Sequence, residues 1–450
     1  MRKSRIHIAL MLCLLLIYAL LAGCSLIKRF SAGPNIRNIG QNHVTEDDNN
    51  KDNNNRGDNN KDDNNKMGDD GRSQVISEGS PNGLEDPSNG AEETIADPKP
   101  KGLTKLKISV VGDIMVHNHQ LKAAREPDGS YDFTGVFEDI SPYLKEADIA
   151  MGNLETTIST DEIGYTAYPR FRSPKSLVTA LKGAGFDILT TANNHSLDGV
   201  EFGVEHTLDV LDEHGIPHTG TARSPEERDR ILIVEENDIR VAILAYTYGT
   251  NGMEGSVNKD KLTYMVNYLK DTSKIEDDIQ RAKDEGAEFI VVCAHWGNEY
   301  VRTPNEAQKQ MADKLFDMGA DVIFGSHAHV IQPMERRDIT TPQGEEKETF
   351  VIYSLGNIVS NQRDRYRDSG LILNLEIIKD YDNETIGLGE IDYIPTWVYR
   401  FTKNNRLHYR ILPVRDFLEA DFGAADNKRI KEVWKETTEH LDTEGIRVRD

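Results

Sequence analysis

Apolar runs of strand length alternate with amphipathic stretches of helix length from about Leu106 to the end of the chain. Alternation of this kind predicts a layered α/β fold, with a mixed sheet or two packed sheets. The strands are predicted at residues 106–111, 149–151, 186–190, 289–294 and 322–324. The helices are predicted at residues 131–146, from Ser173-Pro174 to Gly183 or Gly185, and at 200–213, 271–285 and 305–318.

Two further patterns complete this prediction. Residues 231–234 and 241–245 are apolar runs joined through Asn237-Asp238, which predicts a hairpin. After Gly370 the pattern changes to strands at 371–378, 391–400 and 408–412, followed by a charged helix at 428–441. We expect this region, 370–450, to complete the fold by adding to a second sheet.

The N-terminal hundred residues have a different pattern. A basic start precedes an apolar run over residues 6–20 that ends in Leu-Ala-Gly-Cys24, which resembles the lipobox of bacterial lipoproteins. The resemblance implies that residues 1–24 are a signal peptide, that Cys24 carries a lipid, and that the protein lies on the outer face of the bacterial cytoplasmic membrane. The alternative is a signal anchor that is retained. Residues 25–103 are rich in Asn, Asp, Gly, Ser and Lys and are predicted to form a disordered tether.

The net charge argues against one class of partner, and the cysteine content argues against a disulfide. The chain has 53 basic and 76 acidic side chains and a net charge of −23, which argues against nucleic acid as a partner because phosphate backbones need a cationic surface. Apart from Cys13 in the signal and Cys24, only Cys293 remains, so the folded part has no disulfide within one chain. Cys293 ends an apolar run and is predicted to be a buried strand residue.

Polar side chains recur where the predicted strands end. Asp113, Glu155 and His295 each follow an apolar run, and His327 and His329 lie two residues apart after another. In an extended chain such a pair faces the same way, so both imidazoles can reach one point. Carboxylate and imidazole groups together are typical of a divalent metal site. The alternatives are turn stabilisation for the acids and ordinary hydrogen bonding for the histidines.

The motifs and their order resemble the CapA family, also called PgsA, the capsule-synthesis proteins of poly-γ-glutamate producers. The resemblance covers about residues 105–367 and rests on Gly-Asp-Ile-Met, Gly-Asn-Leu-Glu, Ala-Asn-Asn-His, His-Trp-Gly-Asn-Glu, Gly-Ser-His-Ala-His and Ser-Leu-Gly-Asn. It implies a metallophosphoesterase-like domain over residues 104–369, a two-sheet sandwich flanked by helices. It implies one or two divalent ions (Mn, Zn or Fe) held by Asp113, Glu155, Asn194, His295, His327 and His329. His195, which assists the leaving group, and Glu155 are the catalytic candidates.

The chain departs from the phosphoesterase pattern at one position. Met115 stands where true metallophosphoesterases have the histidine of Asp-x-His, and a thioether is a poor ligand for such cations. His117 could substitute for it, with an ordinary loop histidine as the alternative. A single metal is therefore favoured over two, and phosphatase activity is less favoured.

Four residues are candidates for binding substrate: Arg172, Asn153, Glu299 and Asn357. Arg172 could hold a carboxylate with two hydrogen bonds, or it could form a surface salt bridge. Asn357 could instead hold its own loop to the site. Three other histidines, His206, His214 and His218, are expected to face solvent.

Three functions remain open at this point. The first is a CapA-like protein in the synthesis, export or release of an anionic capsule polymer, using a metal site for hydrolysis or binding. Its partners would be the membrane, the polymer and the membrane subunits of a capsule synthase. The second is an extracellular metal-dependent phosphoesterase, and the third is a non-enzymatic scaffold of the synthase complex. Whether the protein is an enzyme, hydrolysing an amide or a phosphoester, stays open.

Overall fold

The computed structural model describes residues 101–449. Seventeen strands lie within this part of the chain. They are β1 (Leu103–Ile114), β2 (Ile149–Leu154), β3 (Thr157–Ser159), β4 (Arg172–Pro174), β5 (Ile188–Thr190), β6 (His218–Thr219), β7 (Leu232–Glu236), β8 (Ile239–Thr247), β9 (Phe289–His295), β10 (Val322–Ser326), β11 (Met334–Thr340), β12 (Glu346–Ile352), β13 (Asn357–Val359), β14 (Ser369–Asp380), β15 (Thr385–Lys403), β16 (Arg406–Pro413) and β17 (Arg447–Val448).

Ten α-helices connect or cover these strands in the described residues. They are α1 (Asn118–Ala124), α2 (Thr134–Phe137), α3 (Ser141–Lys145), α4 (Ser176–Ala184), α5 (Val200–Glu213), α6 (Pro225–Asp229), α7 (Lys259–Leu262), α8 (Thr272–Asp284), α9 (Glu306–Met318) and α10 (Ala424–His440). Short 3-10 helices cover Met253–Ser256 and Val414–Phe417. No helix in this part of the chain has the length and apolar character needed to cross a membrane.

The strands form two large sheets. The first has the order β16-β15-β14-β1-β2-β5-β6, with β13 beside β1 and β17 beside β15. The second has the order β11-β12-β10-β9-β8-β7. Strands β1, β2, β5 and β6 are parallel to one another, as are β8, β9, β10 and β12. Each sheet therefore has a central parallel part whose carboxyl ends lie at one edge.

The apolar periodicity explains why the sheets pack face to face. Leu106, Ile108 and Val110 alternate along β1 and enter one core with Val291 and Phe324 of the second sheet. The outer face of the first sheet packs against α4 and α5, and that of the second against α8 and α9. The α/β fold, a two-sheet sandwich flanked by helices, is confirmed.

Several predicted elements are confirmed and three are wrong. The hairpin of β7 and β8 turns at Asn237 and Asp238, both with positive φ, as its short turn requires. The helix predicted at 131–146 is two short helices, α2 and α3, because the chain turns between them before Pro142. Ser173 does not cap a helix, since Arg172–Pro174 is strand β4 and pairs with β3.

The third error concerns the strands after Gly370. They extend the first sheet, because β14 pairs antiparallel with β1 along most of its length. Helix α10 packs on β15, and Arg429 forms a two-bonded ion pair with the buried Asp368, at 2.7 and 3.1 Å. The predicted signal peptide, Cys24 and the tether up to residue 100 lie outside the described residues.

Candidate metal centre

The parallel strands of both sheets end at the place where the polar motifs meet. Asp113, at the end of β1, pairs in register with Asn153 of β2, and Glu155 follows β2 directly. In the second sheet His295, at the end of β9, pairs with Ser326 of β10. Because neighbouring parallel strands share one carboxyl edge, these groups come together from distant parts of the sequence.

Hydrogen bonds join Asp113 to the second sheet. Its Oδ2 lies 3.0 Å from Nδ1 of His329, and its Oδ1 accepts a bond of 2.8 Å from Nδ2 of Asn153. The backbone N–H of His327 also points at this carboxylate, 3.3 Å from Oδ2. His327 and His329 both have positive φ, at 89° and 56°. Non-glycine residues rarely adopt this conformation, so the surrounding contacts hold the two imidazoles in place.

Glu155 lies among the histidines with both oxygens unsatisfied. Its Oε1 is 3.6 Å from Nε2 of His295 and 3.8 Å from Nε2 of His329. The side chain is fully buried, and within the described chain neither oxygen accepts a hydrogen bond. Nδ1 of His327 is likewise buried without a partner among residues 101–449.

These unsatisfied atoms fit a divalent metal. In two groups, one ligand atom from each residue lies within 4.8 Å of the others: Glu155, His327 and His329, and Asp113, Glu155 and His295. Buried polar atoms without partners are costly in a protein interior, and a bound cation removes that cost. Carboxylates and neutral imidazoles suit Mn, Fe and Zn alike, so the ligand set fixes no single metal.

Burial and charge set the protonation states of the centre. Burial and the neighbouring Asp113 raise the pKa of Glu155 well above its usual range. Burial, together with the neighbouring histidines, lowers the pKa of His327 to about 3 and that of His295 well below its usual range. Burial alone would raise the pKa of Asp113, but the hydrogen bond and charge of His329 outweigh it and lower the value. His295 and His327 are therefore neutral, which is the form that binds metals.

The amide and the second histidine of Asn194-His195 take different positions. Oδ1 of Asn194 lies 2.9 Å from Nε2 of His295, which brings this predicted ligand to the cluster. Nδ1 of His195 lies 2.7 Å from Oδ2 of Asp198, and its ring meets the edge of Phe171 at 4.7 Å between centroids. An ionised carboxylate only accepts, so Nδ1 carries the hydrogen and Nε2 is left to exchange a proton.

A known family covers more than half of this chain. The model described as "Bacterial capsule synthesis protein PGA_cap" matches residues 107–362, the region that contains every group named above. The chain belongs to this family.

Two individual relatives agree with this assignment. The chain is 32% identical over 294 residues to the "Capsule biosynthesis protein CapA" of Bacillus anthracis, covering 62% of this chain and 66% of that protein. It is 28% identical over 302 residues to the "PGA biosynthesis protein CapA" of Bacillus subtilis, covering 66% of this chain and 73% of that one. The solved structure of the calcineurin-like phosphoesterase YfkN from Bacillus subtilis is similar at a TM-score of 0.37 and 13% identity, over 75% of this chain and 97% of that one.

Met115, which stands where metallophosphoesterases have a histidine, packs in the apolar interior of this PGA_cap domain. It is buried in a small apolar cluster with Ala167 and Phe171. His117 is half-buried at the start of α1, accepts a bond of 3.3 Å from the backbone N–H of Asn361, and meets Phe171 edge-on at 5.0 Å. His117 is in neither of the two metal-ligand groups found in the described residues.

Two of the predicted substrate-binding residues lie inside the centre. Asn153 is bonded to Asp113, and Oδ1 of Asn357 lies 3.1 Å from Nδ1 of His329. Nδ2 of Asn357 donates to the carbonyl of Arg367 at 2.9 Å, so this side chain also ties its own loop to the site. Both asparagines are buried and position metal-ligand candidates. Their contact with substrate stays a prediction.

The other two predicted substrate residues lie nearer the surface. Glu299 is exposed, and its charge contributes to the raised pKa of Glu155, after burial and Asp113. Arg172 is half-buried and follows Phe171 directly, with its Nε buried and unpartnered in the described chain. A buried guanidinium N–H without an acceptor favours an anion as its partner.

Three residues of the centre escaped the sequence reasoning. Asp198 lies three residues after His195, and this spacing could have pointed to it. Oγ of Ser326 lies 2.9 Å from Nδ1 of His295. The ring of Tyr248 lies 4.6 Å from that of His327 and is 45% exposed, so it forms part of the mouth of the site. Tyr248 follows an apolar strand as the other polar residues do, and the same rule would have found it.

Proposed function

We propose that this protein handles an anionic capsule polymer, poly-γ-glutamate, at the outer face of the bacterial cytoplasmic membrane, and that a divalent metal at the buried centre binds or hydrolyses the chain. Membership of the PGA_cap family and the names of the two Bacillus relatives support the link to capsule synthesis. The observation that carries the metal is the pair of unpartnered Glu155 oxygens beside three imidazoles.

The chemistry follows from the residues around the centre. A bound divalent ion would lower the pKa of water and neutralise charge that develops on an attacked oxygen. Asp113, Glu155 and the three histidines would hold it, with Asn194 beside them. His195, oriented by Asp198, offers its Nε2 to a leaving group, and the water-poor surroundings strengthen each of these interactions.

Charge restricts how such a polymer can approach. The chain carries −23, so broad contact with a polyanion is repulsive. Arg172 provides a guanidinium without a hydrogen-bond partner at Nε in the described residues. Arg367 lies over the ring of Tyr300 at 3.5 Å, near the loop of Asn357, and is a second cation that a polymer carboxylate would share with its present partner Asp364, 2.8 Å away. We infer that the polymer meets the metal and these few arginines, and little else.

The membrane attachment is a separate part of this proposal. The lipobox-like sequence supports a lipid on Cys24, and the Asn- and Asp-rich segment would then be the tether. Replacing Cys24 by Ser should release the protein from the membrane fraction while leaving the metal content unchanged. Retention of the Cys24→Ser protein in that fraction would favour the signal-anchor alternative.

The enzymatic part is tested on the full-length protein. We expect bound Mn, Fe or Zn by elemental analysis, and metal-dependent shortening of poly-γ-glutamate or tight retention of the polymer. Glu155→Gln should abolish the effect, whereas Glu162→Gln, an exposed acid outside the cluster, should not. Turnover of a simple phosphate ester without effect on the polymer would favour the phosphoesterase. A metal-free protein whose Glu155→Gln form sustains full capsule output in cells would favour the scaffold.

A further inference from the structure

Apart from the metal centre, a cavity lies where the two sheets approach each other along β6 and β8. The function proposed above does not use it. Its volume is about 380 Å³, in the range of small-molecule sites. One water molecule needs only about 10–15 Å³, so this cavity is far larger than a site for a single buried water. It is lined by residues of β6, β7 and β8, of α6 and α8, and by Asn267.

His218 is the first group that marks this cavity as a binding site. The sequence predicted that it faces solvent, but its side chain is only 5% exposed, because the fold closes α6 and the β7–β8 hairpin over β6. Nε2 of His218 lies 3.1 Å from Oδ1 of Asp212. The other ring nitrogen, Nδ1, is buried and has no hydrogen-bond partner among residues 101–449.

The contact with Asp212 decides what Nδ1 can bind. A carboxylate only accepts hydrogen bonds, so Nε2 of His218 must carry the hydrogen. In the neutral ring Nδ1 then carries the lone pair and needs a donor. Oδ1 of Asn267 also lines the cavity and is also buried without a partner in the described chain. The residues of the cavity wall therefore include two buried acceptors that lack a donor.

The charged groups of the wall are already neutralised by one another. Arg228 forms a two-bonded ion pair with Asp278, at 3.0 and 2.9 Å, and both side chains are almost fully buried. Arg223 pairs with Glu227 at 3.0 Å and with Asp212 at 2.7 Å. A ligand with a net charge would disturb these pairs inside the cavity, and the remaining charged residue of the wall, Arg230, lies at the rim with a 3.6 Å contact to Glu227.

The remaining wall is apolar, formed by Pro217, Ile231, Ile233 and Leu244. We propose that this cavity is a second binding site, for a neutral polyhydroxylated molecule of about monosaccharide size. Its hydroxyl groups donate to Nδ1 of His218 and Oδ1 of Asn267, and its apolar face packs on the aliphatic wall. Entry is past Arg230, which is 71% exposed at the rim.

The test uses the full-length protein with glucose and myo-inositol as neutral probes and gluconate as the charged counterpart of glucose. We expect saturable binding of at least one neutral probe by titration calorimetry, and weaker binding of gluconate. His218→Leu removes one acceptor and should weaken binding at least about tenfold, the value of one hydrogen bond of ~1.4 kcal/mol. His218→Asn, which retains an acceptor near Nδ1, should recover part of the loss.

Two further variants keep the result decisive. His206→Leu, a histidine on α5 that is not part of the cavity wall, should leave binding unchanged. If His218→Leu does not fold, Asn267→Ala tests the second acceptor. The proposal fails if neither neutral probe binds, if gluconate binds as tightly as glucose, or if both cavity variants bind as the parent does. A crystal grown with the probe that shows only ordered water in the cavity would also overturn it.

Discussion

The buried carboxylate of Glu155 should make the metal-free protein less stable than its own Glu155→Gln variant. One oxygen of Glu155 and one of Asp113 lie within 4.8 Å of each other. Two negative charges at that distance repel by about 3.5 kcal/mol at an effective dielectric constant of about 20. Taking up a proton instead costs about 3.4 kcal/mol at about pH 7 for a carboxyl group of ordinary pKa 4.5. Both routes cost about the same.

The glutamine side chain avoids this cost because it is neutral and can donate to Asp113. With an unfolding entropy of about 2.1 cal/mol/K per residue over about 350 described residues, ~3.4 kcal/mol corresponds to about 5 °C in Tm. In chelator, Glu155→Gln should therefore melt up to about 5 °C above the parent. The folded-state pKa of Glu155 is raised, so the parent loses stability as pH rises above the ordinary value of 4.5, and the gap in Tm should widen as pH rises from there.

Added metal should close most of this difference in melting temperature. At a concentration of about 100 times its Kd, a ligand stabilises the folded state by ~2.7 kcal/mol, or about 4 °C here. If losing Glu155 weakens binding about a hundredfold, the variant gains only ~0.4 kcal/mol, less than about 1 °C. Scanning calorimetry with and without Mn(II) measures both effects, with Glu162→Gln as the matched exposed control. A variant that melts below the parent in chelator and keeps the full metal-induced shift would refute the reasoning.

Three further predictions rest on other contacts. Asp198→Asn should lower hydrolytic turnover by about 10²-fold or more while the metal content stays unchanged, because His195 loses the acceptor that fixes its tautomer. An equal loss of bound metal would contradict this positioning role. Gly325→Ala places a Cβ 2.0 Å from a backbone carbonyl of the segment after β12, so we expect little folded protein by circular dichroism. The control, Gly387→Ala, has open space around it and should fold normally. Arg429→Ala removes the two-bonded partner of the buried Asp368, which keeps only Trp397 Nε1 at 3.1 Å and Arg363 at 3.9 Å, and should cost up to about 3 kcal/mol, about 4 °C in Tm by calorimetry. An unchanged Tm would show that α10 needs no such anchor.

Local patterns were enough to predict the class of fold and the polar residues that gather at the centre. Buried parallel strands are continuous apolar runs, so 289–294 and 322–324 could be read directly, and β9 and β10 contain them. Each polar motif was visible because it interrupts such a run. The match of residues 107–362 to the PGA_cap model covers these same motifs.

Errors arose where the outcome depends on distant contacts. Ser173-Pro174 carries the local signature of a helix start, but pairing with β3 makes it a strand. His218 has no feature in sequence that separates it from a surface histidine, and only the approach of β8 and α6 buries it.

The sequence by itself determined the alternation of strands and helices and the set of polar groups at the strand ends, because both depend on residues close together in the chain. Tertiary structure decided that Glu155 lies among three imidazoles with its oxygens unsatisfied, that Asp198 orients His195, and that Met115 packs with Ala167 and Phe171. It also decided that the late strands join β1 and that His218 closes a cavity. The physical reason is that burial, and with it the pKa and the missing hydrogen-bond partners, is created only when segments far apart in sequence pack against one another.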